Sequence, residues 1–69
     1  MGQYDRAIAN YNTAIRLNPN STAAFVNRGI AHLQQGRLKS ALRDYQTAYD
    51  LGYRGNWMVE ALEKNSPLP

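Results

Sequence analysis

The sequence has no cysteine, a single histidine, and one residue each of phenylalanine and tryptophan. Without cysteine there is no disulfide staple, no thiolate nucleophile and no thiolate metal ligand, and nothing argues for secretion. His32 has no second histidine with which to share a metal, and it falls on a helical stripe, so it reads as a packed or half-exposed helix residue. Acidic residues are also few. Asp44 and Asp50 are six apart on one helix and face different sides, while Glu60 and Glu63 lie on a solvated face. There is no glycine-rich phosphate loop and no HExxH pair. The usual enzyme constellations are therefore missing. The expectation is a non-enzymatic protein with no cofactor and no metal.

Long apolar runs are absent too. A bilayer span needs about 20 apolar residues in a row. The longest uncharged run, residues 17–27, is polar in its first half. The N-terminal residues lack the basic-then-apolar order of a signal peptide, and no Ser or Thr stands where a myristoylation motif requires one. Asn20-Ser21-Thr22 fits a glycosylation sequon, which without a secretory route is a chance match. A cytoplasmic location, with no membrane partner, is expected.

What remains is a chain of 69 residues, enough for one small domain. Hydrophobic residues make up 43% of it, and nine of them are alanine, so the core must be thin and made by close approach of helices. The central pattern emerges when the sequence is laid over itself with an offset of 34. Gly2 then falls on Gly36, Ala7 on Ala41, Tyr11 on Tyr45, Thr13 on Thr47, Ala14 on Ala48 and Leu17 on Leu51. Ile8 meets Leu42 and Tyr4 meets Leu38.

Each copy is a helix by apolar spacing. Tyr4, Ala7, Ile8, Tyr11, Ala14, Ile15 and Leu17 recur at steps of three and four with one closing step of two, and the second copy does the same from Leu38 to Leu51. Pro19, flanked by Asn18 and Asn20, ends the first, and Gly52 ends the second. A helix between them starts at the N-cap Ser21, carries Phe25, Val26, Gly29, Ile30 and Leu33 on one stripe and closes at Gly36. A fourth follows Gly55, with Asn56 as cap and Trp57, Met58, Ala61 and Leu62 as apolar face. Glu60 and Lys64 pair on its outside. The reading is an all-α, antiparallel helix-turn-helix repeat with helices at about 3–18, 22–35, 38–51 and 56–64.

Small residues recur where Leu would be the generic choice. Ala7, Ala14, Gly29, Ala41 and Ala48 let helix axes approach, and Tyr11, Phe25 and Tyr45 fill the space beside them. This pattern resembles the tetratricopeptide repeat, a 34-residue helix-turn-helix unit. Phe25-x2-Arg28-Gly29-x2-His32 is similar to the family's Trp-x2-Leu-Gly-x2-Tyr, and Ala41-x3-Tyr45 to its Ala-x3-Phe. The resemblance implies a half repeat at 1–20, a full repeat at 21–55, a closing helix at 56–64 and a tail at 65–69. Trp57 and Ala61 mimic the Trp and Gly of a further unit after a connection two residues short. Arg28 and His32 replace Leu and Tyr and should weaken the core slightly. Tyr53 in place of Pro suggests a non-standard turn.

The resemblance also implies a protein-interaction scaffold whose first helices line a concave, peptide-binding groove. Its residues here would be Ala23, Val26, Asn27, Ile30, Leu33 and Gln34. A basic clamp for C-terminal carboxylates, found in part of the family, is not expected. Only its Asn27 element is present, and Trp57 and Ala61 stand where Lys and Arg are wanted. The first helix lacks the partner that would cover Tyr4, Ile8 and Tyr11, so a second copy or the rest of a longer array is expected on that face. Nucleic acid is the rival partner, through Arg37, Lys39, Arg43 and Arg54 around the third helix with Arg6 and Arg16 on the first. Against it, the net charge is only +3 and the aromatic residues read as core.

Overall fold

Residues 2–66 are described by the structure, a computed structural model. They form four helices in sequence: α1 (Gly2–Leu17), α2 (Thr22–Gln34), α3 (Leu38–Asp50) and α4 (Asn56–Glu63). The expected boundaries hold to within one residue at every helix end, and no strand occurs among the described residues. Of the expected tail at 65–69, only Asn65 and Ser66 lie within the described residues.

The chain turns cleanly because each helix end is closed by backbone. At the end of α2, Gly36 takes φ 79°, its N–H donates to the Leu33 carbonyl at 2.9 Å, and the Arg37 N–H donates to the His32 carbonyl at 2.9 Å. This paired closure is a Schellman motif, which favours glycine at the left-handed residue. Gly52 and Tyr53 repeat it after α3, through bonds of 3.0 Å to the Tyr49 and Ala48 carbonyls. The corresponding α1–α2 connection, with Asn18 and Pro19 at these two places, has no such paired closure, so the turn at Tyr53 differs from the one that contains Pro19. Asn65, at φ 52°, closes α4 as Gly52 closes α3. At the start of α2 the Ser21 hydroxyl accepts from the Ala24 N–H at 3.3 Å, as expected of an N-cap. The start of α4 differs from expectation. Its cap is Gly55, which has no side chain to accept a bond, and Asn56 is already helical.

That boundary corrects the register of the last helix. α4 begins at Asn56 and α2 at Thr22, one whole repeat period earlier, so the connection is not short. By this count Met58 corresponds to Ala24 and Val59 to Phe25, while Trp57 and Ala61 correspond to Ala23 and Asn27. The burial agrees for the first three of these and not for the fourth: Met58 is buried like Ala24, Val59 half-buried like Phe25 and Trp57 exposed like Ala23, whereas Ala61 is buried and Asn27 exposed.

Packing follows chain order, with α2 against α1 and α3, and α4 against α3. The α2–α3 interface is the most extensive. The Cα trace measures 29 × 26 × 15 Å, and its short dimension is that of two helices packed about 8–10 Å apart. The core lies along α3. Ala41, Tyr45 and Ala48 are buried there together with Val26 of α2 and Met58 and Ala61 of α4. Gly29 sets the spacing: a Cβ on it would stand 2.7 Å from Tyr45 Cε1 and 3.2 Å from the Ala41 carbonyl oxygen.

Gly29→Ala should therefore destabilise the fold by about 1–3 kcal/mol through overpacking, even though alanine is the better helix former. Urea denaturation of the variant checks this, and equal or higher stability would show that the ring has room to move.

Candidate functional site

α2 carries the expected groove row on a helix held from both sides. Ala23, Asn27, Ile30 and Gln34 fall within about 60° of one another around the axis, at 100° per residue. Ala23, Asn27 and Gln34 are exposed and Ile30 is half-buried. The other two members turn toward α3. Val26 is only 8% exposed and belongs to the core with Ala41 and Tyr45, and Leu33 packs half-buried against that core. The accessible row is thus two amides and an alanine around the edge of Ile30. On α1, the residues expected to self-associate are open in part: Tyr4 is 38% exposed, and Ile8 and Tyr11 are half-buried. Among the described helices α1 has α2 as its only neighbour.

Arg28, which stands where the family has Leu, is engaged with side chains of two other helices. Its Nε donates to Asp44 Oδ2 at 2.8 Å and its Nη2 to Oδ1 at 2.7 Å, a two-point grip on a side chain that is 5% exposed. Nη1 donates to Asn12 Oδ1 at 2.8 Å, so a single guanidinium ties α1, α2 and α3 together. Planar bidentate pairing is the arrangement that best repays the desolvation of a buried carboxylate. The hydrogen bond to Asp44 pushes the Arg28 pKa further up. His32 stands one turn along, with Nε2 3.7 Å from Asp44 Oδ2 and Nδ1 buried without a hydrogen-bond partner. Burial holds its imidazole below the ordinary histidine pKa, more strongly than Asp44 raises it, and Arg28 and Arg37 push the same way as burial. The one signal of this pair in the sequence is that Arg28 and Asp44 immediately precede Gly29 and Tyr45, which pack against each other across the α2–α3 interface.

Trp57 is the other residue whose place differs from expectation. It does not join the apolar face of α4. It stands at the surface with its ring edge-on to Tyr45, 5.3 Å between centroids at 89°, and to Tyr53 at 6.4 Å and 63°. These contacts hold an exposed indole in place. Of the basic cluster, Arg54 is occupied within the fold. It lies 3.7 Å from the Tyr49 ring centroid and donates to the Tyr49 carbonyl. Arg37, Lys39 and Arg43 are exposed. Among the described residues no three His, Asp or Glu side chains are grouped to hold a metal ion.

Antiparallel helix pairs recurring at one fixed period and packed through small residues define a helical-repeat module. Residues 1–36, just over half of the chain, match the family profile described as TPR repeat. The chain belongs to the TPR repeat family. No curated protein and no solved structure is significantly similar to it.

The polar cluster can be probed by substitution and by pH. Arg28→Leu should cost about 1–3 kcal/mol by stranding a buried carboxylate, despite restoring the family's residue. In combination with Asp44→Ala the cost should fall short of the sum, as a double-mutant cycle by urea denaturation measures. Because the folded chain holds His32 below its ordinary pKa, the unfolded chain takes up the proton first. Stability should then be full above about pH 6.5 and decline below it. His32→Gln should flatten that decline, as unfolding curves recorded on either side of that pH will show.

Proposed function

We propose that this domain is a non-enzymatic interaction scaffold that binds an extended peptide segment along α2. The observation that carries the reading is the membership of the TPR repeat family together with the open row of Ala23, Asn27, Ile30 and Gln34. Neither the Asn27 nor the Gln34 amide is engaged by another described side chain, and both can hydrogen-bond a peptide backbone. Leu33 and Val26 support the row from below and contribute little direct contact area. Trp57, at the position on α4 that corresponds to Ala23 on α2, offers a separate exposed aromatic face. The half repeat, full repeat and closing helix describe its organisation, with the unit boundaries at residues 20, 55 and 64.

A second reading, self-association through α1, has one favouring observation: Tyr4, Ile8 and Tyr11 retain exposed surface on a helix packed by α2 alone. Nucleic-acid binding is less well supported, since Arg54 is engaged with Tyr49.

Titration of labelled protein with peptides selected from an array should move the backbone NMR signals of Ala23, Asn27, Ile30 and Gln34. Asn27→Ala should weaken binding about three- to tenfold, the worth of one amide hydrogen bond. Shifts confined to other surfaces would refute the α2 site. Light scattering on the same sample reads self-association, and a concentration-independent monomer removes it.

A further inference from the structure

A groove of about 620 Å³ runs between α3 and the C-terminal end of α4. Leu38, Leu42 and Leu62 form its apolar wall, Lys39 and Arg43 stand along it, and Gln46 closes one side. None of the residues lining it is acidic. It lies on α3 and α4, away from the α2 row, and its occupancy does not depend on the peptide-binding reading.

Its position in the repeat says what shape of ligand fits. Leu62, Ser66 and Gln46 of this groove stand one repeat period after Arg28, His32 and Asn12. Those three earlier residues surround a place that is already filled. α3 lies there and presents Asp44 to Arg28, which also holds Asn12. The fold therefore contains one example of this cleft occupied by a helix that offers a carboxylate to a cation. In the second cleft the cations come from α3 instead: Lys39 and Arg43 stand where α1 has Asp5 and Ala9. No described acidic side chain pairs with either of them. The first turn of α3 has no acidic residue, so the positive end of the helix dipole adds to the same field.

We infer that the α3–α4 groove docks an acidic amphipathic helix of a partner protein. Its apolar side chains, spaced three and four apart, sit between Leu38, Leu42 and Leu62, and its carboxylates face Lys39 and Arg43. A second copy of the chain fits less well, because α1, the helix whose Tyr4, Ile8 and Tyr11 keep exposed surface, carries Arg6 and Arg16 against Asp5 and brings no net negative charge. Nucleic acid fits less well because the wall is leucine, with no ring on which a base can stack.

The probe is a fluorescein-labelled synthetic helix of about 14 residues, roughly 20 Å long, with Leu on one face and Glu on its flanks. A control peptide has Lys for every Glu. Binding is read by anisotropy against the full chain. The Glu peptide should bind at least about fivefold more tightly than the Lys peptide, and less tightly as salt rises. Lys39→Glu with Arg43→Glu, both at exposed positions, should reverse the preference while the circular dichroism spectrum is unchanged. Asn27→Ala should leave this binding unaltered, which separates it from the α2 site. The proposal is overturned by absence of saturable binding, by equal binding of the two peptides, or by indifference to the charge reversal. It is also overturned if a single-stranded oligonucleotide displaces the Glu peptide and binds more tightly than it. A dimer in light scattering that is abolished by the charge reversal would assign the groove to a second copy instead.

Discussion

The contact between Gly29 and the Tyr45 ring is the constraint on which the rest of the molecule depends. No other residue type at position 29 leaves room for the ring at this helix separation. Once α2 and α3 have closed on it, Ala41 and Ala48 have no exposed surface left, and Val26 is drawn into the same core. Burial and the nearby Asp44 push the Tyr45 phenol pKa up, so the ring stays neutral. Its other side is then available to steady Trp57 edge-on, which places the exposed indole on α4 relative to α2. Packing of this kind tolerates little change in volume, because interiors are filled to crystal density and a single methyl group is felt.

The ion pair beside that contact works on register rather than on burial. An apolar residue at position 28 would slide along its neighbours at small cost, whereas a guanidinium gripping Asp44 at two points and Asn12 at a third fits one alignment of three helices. Buried ion pairs are weak evidence of net stability, since desolvation offsets much of their attraction. Their value as an alignment device is a separate matter, and a thin core with nine alanines leaves room for such a device. The cost falls on His32, which is left against the carboxylate with an unpartnered ring nitrogen.

Helix positions are legible in the sequence because apolar periodicity, Ser21, Pro19, Gly36 and Gly52 all act locally. The copy of α1 in α3, one period on, adds their order of packing. Sequence periodicity does not say which neighbour claims a residue shared between two interfaces. Val26 and Asn27 are adjacent in sequence, and both belong to the expected groove row, yet α3 takes Val26 into the core and leaves Asn27 outside. The same limit hides the place of Trp57, whose size suggests burial while its repeat position puts it at the surface. Asn56 has the side chain of a cap, but Gly55 holds the capping position through its backbone. Arg28 looks like a defect in the sequence because its partner, Asp44, lies on another helix, 16 residues away.

The two ends of the stack are physically unlike. One repeat period on from Val26, Gly29 and Ile30 of α2 stand Glu60, Glu63 and Lys64 of α4, all exposed. Where a mere Cβ at Gly29 meets a ring at 2.7 Å, a glutamate at the corresponding place on α4 forbids equal approach. A helix cannot close on α4 as α3 closes on α2. It can only rest against α3 and the last turn of α4, where the leucine-walled groove lies. On α1 the situation is reversed: Ala7, Tyr11 and Ala14, the counterparts of Ala41, Tyr45 and Ala48, are half-buried where those three are fully enclosed. Close helix packing is thus directed to the α1 side, while α4 presents an outer face whose charges include the Glu60–Lys64 pair at 2.8 Å. The difference arises from which residue occupies the glycine position of the repeat, a choice made separately in each unit.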